Sequence, residues 1–266
     1  MKTAFLIFIR LKLHFGFYSS KLIVPRTGYS FEKAARFCYD MSDHFFVEAL
    51  MQDAFHSQIP DDFLRFRSMN GWQRYFGHLK TVHLHRKYVR QGCFKIGLYR
   101  QGLLHDLSKY SAVEFLPSVR YYDGHRSPNA VDRRLNGYSR AWLHHKGRNR
   151  HHYEYWIDFM GAPVNGAFAC KMPLRYVAEM VCDRRAACIA YHGEQYTQKD
   201  AWEYYARTRD IIVMQKDTRA VLEHALLLMR DEGEDACFAF LREILKKTKG
   251  LDYTAGSLGL KINMEE

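Results

Sequence analysis

The sequence predicts an all-α protein, and three observations carry that prediction. From Trp72 onward apolar residues recur at three and four positions, and runs of strict alternation are very few. The 266-residue chain is 47% hydrophobic and 15% aromatic, enough apolar side chain to fill a core. No repeat, low-complexity tract or glycine-rich phosphate loop breaks the pattern.

In chain order, residues 1 to about 68 read as a separate N-terminal extension. Its opening apolar run, MKTAFLIFIRLKLHFGFYSS, is cut by Arg10 and Lys12, and no small-residue cleavage site follows, so a signal peptide is not indicated. A start at Met69 would leave every later motif intact. Residues 71–91 predict a first helix. A second is expected over 94–109, ending in HDLSK, and a third over 111–122, where Ser111 is a cap with Glu114 three positions on. After the polar loop DGHRSPN, residues 131–146 read as a helix that Gly147 breaks, and 152–160 as a short aromatic helix before the turn GAPVNG. Pro173 opens a strong helix over 174–192. Helices follow over 198–209, 217–232 and 234–248, the last two parted at Gly233. The helical domain thus spans 69–249, and 250–266 reads as a loose tail.

A formal net charge of +11 and a pI near 9.3 favour anionic partners: phosphate esters, nucleotides, nucleic acid or an acidic surface. The six cysteines, Cys38, Cys93, Cys170, Cys182, Cys188 and Cys237, form no CxxC pair and no regular framework. Neither a zinc ribbon nor a disulfide scaffold is indicated, and reduced thiols fit a cytoplasmic protein. No stretch approaches the roughly 20 apolar residues that cross a bilayer, so no membrane partner is expected.

The residues that carry chemistry begin with His105-Asp106, an imidazole and a potentially bridging carboxylate on neighbouring positions. Lys109 follows one turn after His105, which brings its ammonium over the same pocket, within reach of a metal-bound phosphate. Upstream, His78, Val82 and His85 fall on one helix face, so that face offers an imidazole inward. Downstream, HHKGRNRHH at 144–152 packs four imidazoles and three cations around a glycine. Two readings stand beside each other here: metal ligation by the paired histidines, or a basic loop gripping nucleic acid with Trp142, Tyr153, Tyr155 and Trp156 nearby for stacking. Mostly neutral imidazoles favour the first. Finally, Glu179 and Asp183 lie one turn apart on the strong helix, where a carboxylate facing the core needs either an arginine or a metal.

This order of residues resembles the HD-domain superfamily of metal-dependent phosphohydrolases. HDLSK is similar to the HDxxK segment of its cyclic-dinucleotide phosphodiesterases, whose GYP element is absent. GHLKTV, GLYRQGLLHDLSKYSAVEF, AWLHHKGRNRHHYEYW and MPLRYVAEMVCDRRAA together resemble the uncharacterised DUF5662 family over about Trp72 to Tyr205. The resemblance implies an HD-like helical bundle with a metal site between helices. It implies His78, His105, Asp106 and Asp183 as ligands, with His145, His151 and His152 extending the site to a second ion. Asp106 and Lys109 are then the catalytic pair, and Arg148, Asn149 and Arg150 the groups that meet substrate. The expected function is hydrolysis of a nucleotide or small phosphoester with one or two divalent ions, Mn, Fe, Co or Mg. An HD-type di-iron oxygenase and a non-catalytic nucleic-acid-binding module are the alternatives.

Overall fold

The computed structural model describes residues 61–248 and 252–260, and the expectations for residues 1–60 lie outside the described residues. Helices dominate, with nine α-helices and one two-stranded sheet among the described residues.

The first long helix, α1 (Gly71–Lys95), starts at a reciprocal cap: the Asn70 side chain accepts the Gln73 N–H, and the Gln73 side chain accepts that of Asn70. It runs four residues past the expected end at 91, because Gly92 serves close packing. A β-carbon there would sit 3.0 Å from the Cys182 sulfur, so only glycine lets the two helix backbones approach this closely. The chain breaks instead at Gly97, whose φ of +84° suits glycine. A short helix α2 (Tyr99–Leu104) follows, then a 3₁₀ turn at Leu107–Tyr110, where the sequence predicts one helix over 94–109.

Helix α3 (Ala112–Arg120) has Ser111 at its N-cap without a side-chain hydrogen bond. The expected helix over 131–146 is two, α4 (Pro128–Asn136) and α5 (Arg140–Lys146). Gly137 ends the first in the left-handed region, and the Ser139 hydroxyl restarts the second by accepting the Trp142 N–H. The expected aromatic helix over 152–160 is a single 3₁₀ turn, Tyr153–Trp156, running into strand β1 (Ile157–Met160). Strand β2 (Gly166–Ala169) returns antiparallel with Ile157 opposite Ala169. Four residues cannot hold an isolated helix, and the turn residues of GAPVNG close a hairpin instead.

Helix α6 (Leu174–His192) matches its predicted span and is buried on nearly every side. Helices α7 (Asp200–Ala206), α8 (Lys216–Asp231) and α9 (Glu234–Thr248) complete the domain. The core lies where α1, α6, α8 and α9 meet, around Val89, Cys93, Val181, Leu222, Leu226 and Phe238. Each such side chain contributes about 1.5–3 kcal/mol on burial. Cys93, Cys182, Cys188 and Cys237 are buried thiols and Cys170 is half-buried, none of them in a disulfide. No helix among the described residues is long and apolar enough to cross a membrane.

The buried stripe of α1 changes character along its length. His78, Val82 and His85 occupy the N-terminal half, and Val89, Gly92 and Cys93 the C-terminal half. One half packs the core, and the other leaves imidazoles among the chain's carboxylates. Residues 252–260 form no loose tail: Tyr253 and Ala255 are buried, and the Tyr253 hydroxyl donates to the Met172 carbonyl at 2.8 Å.

Candidate metal centre

The centre begins with a backbone distortion. Asp106 has φ 52° and ψ 30°, the left-handed region, although it carries a β-carbon. Strain of about 1–3 kcal/mol persists only where surrounding contacts enforce it. Arg86 on α1 supplies several of those contacts. Its guanidinium donates to the carbonyls of His105 at 2.9 Å and Leu103 at 3.0 Å, and lies over the Tyr110 ring. The end of α2 is thereby fastened to α1, and the Asp106 carboxylate is turned inward to 1% exposure.

Histidines from three segments converge on that carboxylate. The Nε2 atoms of His85 and His105 stand 3.4 and 3.3 Å from Oδ2, and those of His145 and His151 stand 3.4 Å from Oδ1. Asp183 Oδ1 lies 3.1 Å from His85 Nε2 and 3.4 Å from His105 Nε2. Two donor sets share Asp106: His85, His105, Asp106 and Asp183, and Asp106, His145, His151 and His152. Within each set the donor atoms lie within 4.8 Å of one another.

These donors suit a cation better than they suit each other. Apart from the ion pair with Lys109, whose Nζ is 2.6 Å from Oδ2, neither Asp106 oxygen is hydrogen-bonded, and Nε2 of both His151 and His152 is buried without a partner. His85 and His105 also face each other nitrogen to nitrogen at 3.3 Å. A bare buried polar atom costs about 1–3 kcal/mol. A cation among these lone pairs removes that cost at several atoms together, so the donor set fits a divalent ion of imidazole and carboxylate preference.

A second layer of carboxylates holds the rings. Glu179 Oε1 lies 2.9 Å from His105 Nδ1 and 3.4 Å from His151 Nδ1, and Gln101 donates to its other oxygen at 2.6 Å. Glu114 Oε2 lies 2.7 Å from His145 Nδ1, and its Oε1 2.7 Å from His144 Nδ1. With each Nδ1 engaged, the Nε2 atoms point at Asp106. The electrostatics follow. Burial opposes charge on Glu179, but its bonds to His105 and His151 bring its pKa down to about 2. Burial likewise opposes a charged His105, yet Asp106, Asp183 and Glu179 outweigh it and hold its pKa well above the usual imidazole value. His152 goes the other way: burial, then the neighbouring His151 and His145, keep it neutral.

Of the residues expected from the sequence, His105, Asp106, His145, His151, His152 and Asp183 come together, with the Lys109 ammonium on Asp106. His78 does not join them. Its ring packs between Phe115 and Tyr122, and His85, two turns on, stands beside Asp106 and Asp183 in its place. The physical reason is the seating of α2: Gly102 rests on Arg90 and Cys93 of α1, which sets His105 level with His85. Asn149 is not turned toward a substrate, since it donates to Ser108 Oγ at 3.0 Å and to the His145 carbonyl at 2.8 Å. Arg150 lies over Tyr155 and Tyr176, while Arg148 is exposed. Sequence reading missed Glu114, whose carboxylate goes to two histidines instead of the α3 cap, and the bracing role of Glu179, for which its one-turn spacing from Asp183 was the available signal.

Compared with known proteins, residues 74–228 match the model of DUF5662, a family of unknown function. No curated protein and no solved structure matches the chain.

Proposed function

The chain belongs to the DUF5662 family, and we propose that it is an HD-type metal-dependent phosphohydrolase acting on a nucleotide or small phosphoester. The observation that carries the reading is the buried Asp106 carboxylate, shared between two histidine-rich donor sets and paired on Oδ2 with the Lys109 ammonium. His85, His105 and Asp183 with Asp106 would hold one divalent ion, and His145, His151 and His152 with Asp106 a second. Ions so held supply a hydroxide nucleophile at neutral pH and offset charge on the phosphoryl oxygens. The imidazole count favours manganese, iron or cobalt over magnesium.

The chain's own groups divide the remaining work. Asp183 and Lys109, with side chains 15% and 27% exposed, lie with the half-buried His152 at the open side of the cluster, where a substrate would enter. Burial opposes the Lys109 charge, but Asp106 and Asp183 raise its pKa, so it meets a phosphoryl oxygen as a cation and a hydrogen-bond donor. The exposed Arg148 adds attraction for an anion. His145 and His151, each 2% exposed, are turned away from solvent, which weighs against a basic loop whose histidines touch nucleic acid.

The test is elemental analysis of protein purified without a nickel column, comparing wild type with Asp106→Ala, followed by phosphate release from a panel of phosphoesters. One to two equivalents of metal in the wild type are expected. Their loss in the variant should cut turnover by more than about 100-fold, beyond what removal of an orienting partner does. A protein that resists loading would overturn the reading. Loaded protein that consumes oxygen without releasing phosphate would move it to redox chemistry.

A further inference from the structure

The adjacent pair His144-His145 is split by a single carboxylate. Glu114 Oε2 receives the His145 Nδ1 proton and Oε1 that of His144, each at 2.7 Å, although His145 is 2% exposed and the His144 side chain 24%. The tautomer of His145 follows from its closest neighbour, which can accept a proton but not donate one. Asn149 spends its two amide protons on Ser108 Oγ and the His145 carbonyl, and Ser108 spends its hydroxyl proton on Glu114 Oε2 at 3.1 Å. Asn149 Nδ2 and Ser108 Oγ also stand 3.1 and 3.3 Å from His145 Nδ1, but the Glu114 carboxylate at 2.7 Å can only accept, so Nδ1 carries the proton and Nε2 is left bare toward Asp106 Oδ1. Glu114 touches neither Asp106 nor the other donor set, whereas Glu179 braces His105 and His151, one ring from each set.

We infer that Glu114 is a positioning residue for one half of the centre: it selects the His145 tautomer and so controls cation binding by His145, His151 and His152 alone. The inference rests on the two-ion reading proposed above. Glutamine at this position offers one acceptor oxygen where two imidazole N–H groups and a serine hydroxyl compete for it. Removing His144 as well returns that acceptor to His145. A purely structural role for Glu114 predicts no such rescue.

The experiment is calorimetric titration of the full chain with Mn²⁺, together with imidazole ¹⁵N spectra of the metal-free protein, for wild type, Glu114→Gln, His144→Ala and the double variant. Two equivalents are expected for wild type and His144→Ala. Glu114→Gln should keep one at wild-type affinity and weaken the other about 10–100-fold, with the Nδ1–H signal of His145 reduced, and the double variant should regain most of both. Equal weakening of both equivalents, an unchanged titration, or no rescue would overturn the inference. If wild type binds no Mn²⁺, nor Fe²⁺ or Co²⁺ titrated in its place, the proposed function falls, and the ¹⁵N spectra alone decide whether Glu114 sets the tautomer.

Discussion

His78 and His85 share one face of α1 and differ in what the neighbouring elements bring to them. His78 meets the rings of Phe115 and Tyr122 at 5.1 and 5.7 Å, and burial, with the Lys109 charge behind it, lowers its pKa to about 4. It is a neutral packed ring at any physiological pH, while His85 touches two carboxylates. His85→Ala is therefore expected to lose one metal equivalent by elemental analysis. His78→Ala should keep the wild-type stoichiometry and lose about 1–3 kcal/mol of stability through the space left between two aromatic rings. The reverse pattern would restore His78 to the ligand set. Residue types and order along the chain were legible, since His105, Asp106, three histidines of the 144–152 block and Asp183 come together at the centre. The choice between two histidines seven residues apart was not, because periodicity fixes a face and leaves open which turn of it a partner meets.

At the scale of elements, that choice is made by the contact of α2 with α1. A β-carbon on Gly102 would lie 2.9 Å from the Cys93 β-carbon and 3.3 Å from the Arg90 Cα, groups that cannot swing aside. Gly102→Ala should therefore lift α2 and the His105-Asp106 segment it carries. The expected cost is about 1–3 kcal/mol, read as a lower denaturation midpoint, together with weaker Mn²⁺ binding. Gly166→Ala, whose added carbon meets nothing within 4 Å, is the comparison and should stay near wild type. Equal behaviour of the two variants would show that the close approach of α2 is not needed. Helices α6 and α9 were legible because Pro173 and Gly233 mark their starts and their apolar content is continuous. The split of 131–146 was present as a signal, Gly137 a C-cap residue and Ser139 an N-cap residue, but the apolar spacing that continues across them outweighed it. The strand at 157–160 was hidden because its partner lies beyond the turn, and pairing is a property of two segments.

At the scale of the whole molecule, the C-terminal segment ties together parts of the chain far apart in sequence. Asp217 at the start of α8 accepts the Ala255 N–H at 2.8 Å, Lys171 donates to the Tyr253 carbonyl at 2.8 Å, and Thr218 accepts the Met172 N–H at 3.1 Å. The segment is anchored just ahead of α6, the helix that carries Glu179 and Asp183. Asp217 is 6% exposed, and although burial alone would raise its pKa, the Ala255 N–H and Gln215 hold it below its ordinary value of 3.8. A carboxylate whose folded pKa is depressed stabilises the fold in full above its unfolded value, and the contribution vanishes as pH falls through the folded value. Asp217→Asn, which keeps an acceptor oxygen but not the charge, should cost about 1 kcal/mol near pH 7. That gap in thermal midpoint should begin to close as pH drops below about 4, where the unfolded chain takes up the proton, and vanish once pH falls below the depressed folded value. Midpoints recorded between pH 3 and 7 check this. A gap that persists unchanged at pH 3 would mean that the Asp217 charge does not hold the segment in place.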